Sequence, residues 1–288
     1  MSLVVVEVIV KSAEHGGRKL LAPVGMPTPH QTALHFSVEG GQFDLTGETT
    51  SGQMTALITP EGAGDDVKLV YHFADAEGMY PESVFQPRDS CFTRAADALV
   101  TDAQQIAEQA VDGHAAIAAI VAHTSEKFSY GHVDVRFNEG MDTVPHLGCG
   151  LTKGSCVDIN TYLIASLRSA GLEAGYVTGY FFPQEKNGCC SDMHCWVVTR
   201  HNGVVLEWDI AHHKKMGKED ICCGLNPKPG SRVALAHSMG LDFPELGIRE
   251  EKLIAEPVVV SDEGTIRLYD LEIRMRLAGD KPGFPLSD

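Results

Sequence analysis

The chain has 288 residues, 43% of them hydrophobic and 22% charged, which is ordinary for a soluble globular protein with a sizeable core. A formal net charge of −16 disfavours nucleic acid and anionic membrane as partners. Eight cysteines are too sparse for a disulfide scaffold, and the opening apolar run MSLVVVEVIV lacks a basic flank, is broken by Glu7 and is too short to span a bilayer. The expectation is a cytoplasmic protein with free thiols.

Residues 1–90 read as strands. Runs at 3–10, 34–38, 55–59 and 67–73 are rich in branched and aromatic residues and are separated by turns such as His15-Gly16-Gly17 and Glu39-Gly40-Gly41. They predict an N-terminal β-sandwich-like domain, with residues 81–89 leading out of it. From Thr93 the pattern turns helical, with Ala-rich segments at 94–110 and 114–127 broken by Asp112-Gly113. A polar loop, 132–153, then leads into Gly154-Ser155-Cys156-Val157-Asp158.

That pentapeptide predicts a helix start. Ser155 and Asp158 have the spacing of a capping box, which makes Ser155 the N-cap and Cys156 the first helical residue. Ile159, Leu163, Ile164 and Leu167 continue with helical period, and Gly171 is a left-handed stop. A thiol at a helix N-terminus faces unpaired N–H groups and the positive end of the dipole, both of which favour the nucleophilic thiolate.

After Gly171 the chain returns to strands at 173–182, 193–200 and 204–210, with weaker strand patterns at 257–260 and 265–277. Asn202-Gly203 between two such runs signals a two-residue hairpin, so that paired residue numbers sum to 405. That register sets His194, Trp196, Glu207 and Asp209 on one face, and Cys195, Val197, Leu206, Trp208 and Ile210 on a core face. His194 and Asp209 become diagonal neighbours, roughly 7–8 Å apart at the backbone and within side-chain reach. Singly, Cys156 reads as a buried inert thiol, His194 as a hydrogen-bonded strand histidine and Asp209 as a strand-end residue. Together they supply a nucleophile, a base and an orienting carboxylate.

Five segments in order carry a family resemblance: 154–158, 167–172, Val177-Thr178-Gly179-Tyr180, Met193-His194-Cys195-Trp196-Val197 and Glu207-Trp208-Asp209. The set resembles the transglutaminase-like superfamily, and the flanking regions resemble its bacterial branch of candidate cysteine proteases. The resemblance implies an α+β, papain-like (transglutaminase-like) core, with an antiparallel sheet packed on the nucleophile helix. It divides the chain into a β domain, 1–90, and a catalytic domain, 91–288, that includes the C-terminal strands. It implies acyl transfer through a thioester, with Cys156 as nucleophile, His194 as general base and acid, and Asp209 orienting His194. The substrate would be a peptide, protein or small amide. No cofactor or metal is implied, and the adjacent pairs Cys189-Cys190 and Cys222-Cys223 lack zinc-site spacing.

The sequence departs from the family at Cys195, where Ala is common, and after Asp209, where Ile210 replaces a common Pro. The Cys156 backbone N–H is the first oxyanion donor; His146, Cys149 and the 146–154 loop are candidates for the second. Asp192 and Tyr180 are candidates for the cleft wall, residues 183–192 for a lid, and Lys214, Lys215 and Lys218 for a solvated basic face. The alternative function is a catalytically silent peptide- or partner-binding module on the same fold.

Overall fold

In the strand Leu3–Val10 alternate residues Val6, Val8 and Val10 are fully buried, the period-two pattern of a strand with one face on a core. A computed structural model describes residues 3–75, 78–148 and 150–278. In it Leu3–Val10 sits within a five-stranded sheet, between Leu271–Leu277 and Val67–Ala74. A second five-stranded sheet runs Gly264–Arg267, Val258–Ser261, Leu20–Pro23, Met54–Pro60 and Gly41–Gly47. The inner faces of the two sheets share one apolar core, including Val8, Leu20, Ile58, Leu69 and Val259.

Val258–Ser261 and Leu271–Leu277, grouped by sequence with 91–288, thus pair with the N-terminal strands instead, and Gly264–Arg267 extends the second sheet from Val258–Ser261. The N-terminal partners of Val258–Ser261 and Leu271–Leu277 lie more than 200 residues away, and no local pattern encodes such pairing. The strand 20–23 is only four residues long, whereas 41–47 alternates at Phe43 and Leu45 between polar neighbours, a signal the sequence reading passed over.

The remaining chain is a helical layer on a four-stranded antiparallel sheet ordered Val204–Trp208, Met193–His201, Glu173–Pro183 and Gly230–His237. The helix Cys156–Ser169 lies between that sheet and the helices Asp97–Glu108 and Gly113–Lys127. It is therefore buried on every side through Leu167, not only along the predicted stripe. Ser155 caps it and Asp158 completes the capping box; Gly171, at φ 75°, ends it. The α+β, papain-like architecture follows from these layers.

A buried ion pair ties the two regions together. Glu48, in the turn before Met54–Pro60, accepts both Arg88 nitrogens at 2.8 and 2.9 Å and the Asp242 N–H at 3.0 Å. Burial alone would raise the Glu48 carboxyl, but Arg88 and the Ser51 and Asp242 donors pull it from 4.5 down to about 2. Replacing Arg88 with methionine is expected to destabilise the protein by about 3–5 kcal/mol, because a buried carboxylate loses its counterion. The thermal midpoint should fall by on the order of 10 °C. In the wild type this contribution is present above the unfolded carboxylate value and is lost as pH falls toward 2. A melt series against pH measures both effects.

Candidate active site

Cys156 is the first residue of its helix and is 7% exposed. The start is held rigidly. The Asp158 carboxylate accepts the Ser155 N–H at 2.8 Å and its hydroxyl at 2.7 Å, while Arg136 donates to both Asp158 oxygens at 3.2 Å. Gly154 is required here, since a side chain would collide with Asp158 and the Phe128 ring.

His194 enters from the strand Met193–His201. The hairpin has the predicted register, His201 opposite Val204 and Val197 opposite Trp208, with Asn202 and Gly203 both left-handed. The pairing ends at Trp208, however. Asp209 is not a strand residue but the N-cap of a short helix, Ile210–Lys215, and its Oδ1 accepts the His212 N–H at 3.0 Å. Turning the chain there brings Asp209 Oδ2 to 2.9 Å from His194 Nε2. His194 Nδ1 is left as the ring nitrogen available to the thiol. The structure thus joins His194 and Asp209 directly, and His194 and Cys156 line one cleft.

Two residues that the sequence did not single out complete the arrangement. Arg232, on Gly230–His237, donates to Asp209 Oδ2 at 2.8 Å, with its guanidinium carbon 4.9 Å from the Trp196 ring. His212 places Nδ1 at 2.9 Å from the same oxygen and stacks on His194, ring centroids 4.0 Å apart and 6° from parallel. The Asp209-x-x-His212 spacing was a possible signal for a helix cap. Arg232 had none, since its approach depends on the pairing of Gly230–His237, which the sequence did not mark as a strand, with Glu173–Pro183. Gly179 of the Gly-Tyr motif permits that approach, because a Cβ there would meet the Val233 carbonyl.

The electrostatics follow from these contacts. The neighbouring Cys195 thiol, followed by His194 and the Lys215 charge, holds the Cys156 thiol well below 9 against the opposing effect of burial. Burial and the Cys156 thiolate push Cys195 the other way, so Cys195 keeps the shared proton. Burial would lower His194, but Asp209 and Cys156 outweigh it and raise the imidazole above 6.5. Burial would raise Asp209, yet His194, His212 and Arg232 keep it well below 3.8. Burial lowers His212 to about 4, so it remains neutral.

Cys195 sits in the core as expected, with Asn160 donating to its sulfur at 3.4 Å, but it also acts on Cys156. Lys215 and Lys218 are exposed, and Lys215 also lines the cleft with its ammonium 4.5 Å from the Tyr130 ring centre; Lys214 is half-buried and pairs with Glu219. Asp192 lines the cleft, whereas Tyr180 is fully buried against Phe182. Cys189-Cys190 pairs with Leu271–Leu277, which pins the segment 183–192 to a sheet. His146 pairs with Asp102 at 3.4 Å and lines neither arm of the cleft, and Cys149 lies outside the described residues.

His194, Asp209 and His212 bring potential metal ligands within 4.8 Å of one another. The Asp209 oxygen they share also receives Arg232, a fixed positive charge that opposes a cation there.

The cleft crosses Cys156 in two arms. One is a cavity of about 350 Å³ with Arg136, Lys252, Glu256 and Arg267 in its wall. The other, of about 250 Å³, holds Tyr130, Phe181, His194, His212 and Lys215. Glu256 accepts the Met193 N–H at 3.2 Å, and burial with Asp192 nearby raises its carboxyl to about 7.

Residues 101–205 match the family model of the transglutaminase-like superfamily, a span that contains Cys156 and His194 and stops short of Asp209. No curated protein matches the chain. Among solved structures, a candidate cysteine protease from Cytophaga hutchinsonii is 11% identical with a TM-score of 0.54, covering 100% of this chain and 94% of its own. The periplasmic domain of TgpA from Pseudomonas aeruginosa is 14% identical with a TM-score of 0.37, covering 74% of this chain and 88% of its own. Over residues 101–205 the chain is thus similar to the transglutaminase-like superfamily, and it shares that fold.

Proposed function

We propose that the protein is a thiol-dependent amide- or peptide-bond hydrolase or acyltransferase, with Cys156 as nucleophile, His194 as general base and acid, and Asp209 orienting His194. The observation that carries this is a thiol at a helix start, opening on the same cleft as an imidazole bonded to a buried carboxylate at 2.9 Å. The opposed shifts of the two groups support a thiolate–imidazolium resting pair. A catalytically silent binding module has no need of such a pair.

The thiolate attacks the carbonyl carbon, and the oxyanion that forms is met by the Cys156 backbone N–H at the helix N-terminus. His194 Nδ1 gives its proton to the departing amine, leaving a thioester on Cys156. Water or a second amine then attacks the thioester; His194 takes the incoming proton, and the thiolate is released. Asp209 fixes the ring through Nε2 and stabilises the imidazolium at each stage. Tyr130, whose hydroxyl is kept protonated by burial and by the nearby thiolate, faces the same arm as a neutral donor.

The pH dependence of Cys156 alkylation by iodoacetamide tests this. The acid limb is protonation of the thiolate, below the ordinary thiol value of 9; the alkaline limb is loss of the imidazolium proton, above 6.5. The rate at Cys156, mapped by mass spectrometry, should change less than about threefold between pH 6 and pH 8, where an ordinary thiol gains about a hundredfold. A hundredfold gain at Cys156 would overturn the proposed function.

A further inference from the structure

The charges lining the larger arm of the cleft do not all find partners. Arg136 is engaged with Asp158 at 3.2 Å. Arg267 pairs with Asp192 at 3.2 Å and stands 3.7 Å from Glu256. Glu251 accepts the Thr265 hydroxyl, and Glu256 accepts the Met193 N–H. Burial raises both of these carboxyls, Glu256 to about 7, which weakens them as counterions. Lys252 differs from the other cations. Among the described residues its ammonium has no carboxylate within ion-pair distance and no side-chain hydrogen bond, and it stands 5.2 Å from the Phe92 ring centre. Burial and the neighbouring Arg136 charge lower its pKa to about 8. A half-buried cation without a counterion is destabilising, and an anion brought into the cavity relieves that.

The direction of the cleft says which half of a substrate brings the anion. The departing amine must reach His194, which lines the smaller arm and not this one. The acyl group left on Cys156 therefore extends into the Lys252 cavity, whose roughly 350 Å³ accommodates an amino-acid-sized group. Building on the proposed thiol chemistry, we propose that the acyl half of the substrate carries a carboxylate seated on Lys252, as in a glutamyl or aspartyl donor.

Two N-acetyl aminomethylcoumarin amides, glutamyl and glutaminyl, differ only in that charge. The wild type should cleave the glutamyl amide with kcat/KM about tenfold or more above the glutaminyl one, the range of a charge-assisted hydrogen bond. Lys252→Met should bring the two to parity by lowering the glutamyl value alone, and Lys252→Arg should keep the preference. Equal cleavage of both amides by the wild type, a comparison that needs no variant, overturns the inference. An unchanged preference in Lys252→Met does the same. Alkylation of Cys156 by iodoacetate against iodoacetamide examines the cavity without turnover. The rate ratio should fall about fivefold or more in Lys252→Met, and an unchanged ratio counts against the anion site. Charge-selective alkylation with neither amide cleaved would sink the hydrolase function and leave the anion site standing; cleavage of both amides alike would do the reverse.

Discussion

Replacing Cys156 with alanine is expected to abolish amide turnover, lowering kcat by about 10⁴-fold or more, because among the described residues no other thiol stands at that helix start, and the Ser155 hydroxyl is committed to Asp158. Cys195 does not substitute for it. Its sulfur is fully buried, points to the core beside Asn160 and is held protonated. The same change should leave the fold nearly intact. It trims one atom from a side chain at the rim of the core, in contact with the open cleft, a loss of about 1 kcal/mol. Retention of activity with parallel thermal melts would remove Cys156 from the chemistry. Loss of activity with a collapsed melt would mean that the thiol is structural.

Asp209→Asn is expected to damage both function and stability. The carboxylate is fully buried, and its Oδ2 meets His194, His212 and Arg232 at 2.8–2.9 Å. Asparagine keeps the N-cap oxygen but removes the charge that two cationic partners answer. Turnover should fall by about 10³–10⁴-fold as the imidazole loses its orientation and its imidazolium loses support. Stability should fall by about 3–5 kcal/mol, because Arg232 remains buried without a counterion. With Asp209 neutral the raised His194 value should drop, so the alkaline limb of the alkylation profile should move to lower pH. An Asp209→Asn protein with wild-type melting and activity within tenfold would show that the carboxylate does not serve the imidazole.

What the sequence disclosed was local. A capping box spans four residues and an Asn-Gly turn two, so Ser155, Cys156 and the 201–204 pairing follow from nearest-neighbour chemistry. The turn's register also put His194 beside Asp209, but by an incomplete route: extending the strand to residue 210 predicts a diagonal strand pair, whereas the chain leaves the sheet at Asp209 and caps a helix. The carboxylate reaches the imidazole more directly in consequence. Arg232 and Lys252 were illegible for a different reason. Each arrives at the site on a segment that joins the cleft only through the tertiary fold, Arg232 by pairing across Glu173–Pro183. The role of Cys195 was half legible: period two placed it in the core, but only the packing of the helix shows that the core face is also the Cys156 face.

The strand Leu3–Val10 has consequences for how the chain is made. Its neighbours are Val67–Ala74 and Leu271–Leu277, with Val4 set against Leu277. All four strands of the Cys156-bearing core have been synthesised by His237, while the first strand still lacks one flank. On the ribosome the Cys156 helix and its four-stranded sheet can therefore pair while Leu3–Val10 keeps a long unpaired edge, the arrangement that slows folding and invites association with other nascent chains. Emergence of residues 271–277 closes that edge, so a strand made more than 250 residues later completes the pairing of Leu3–Val10.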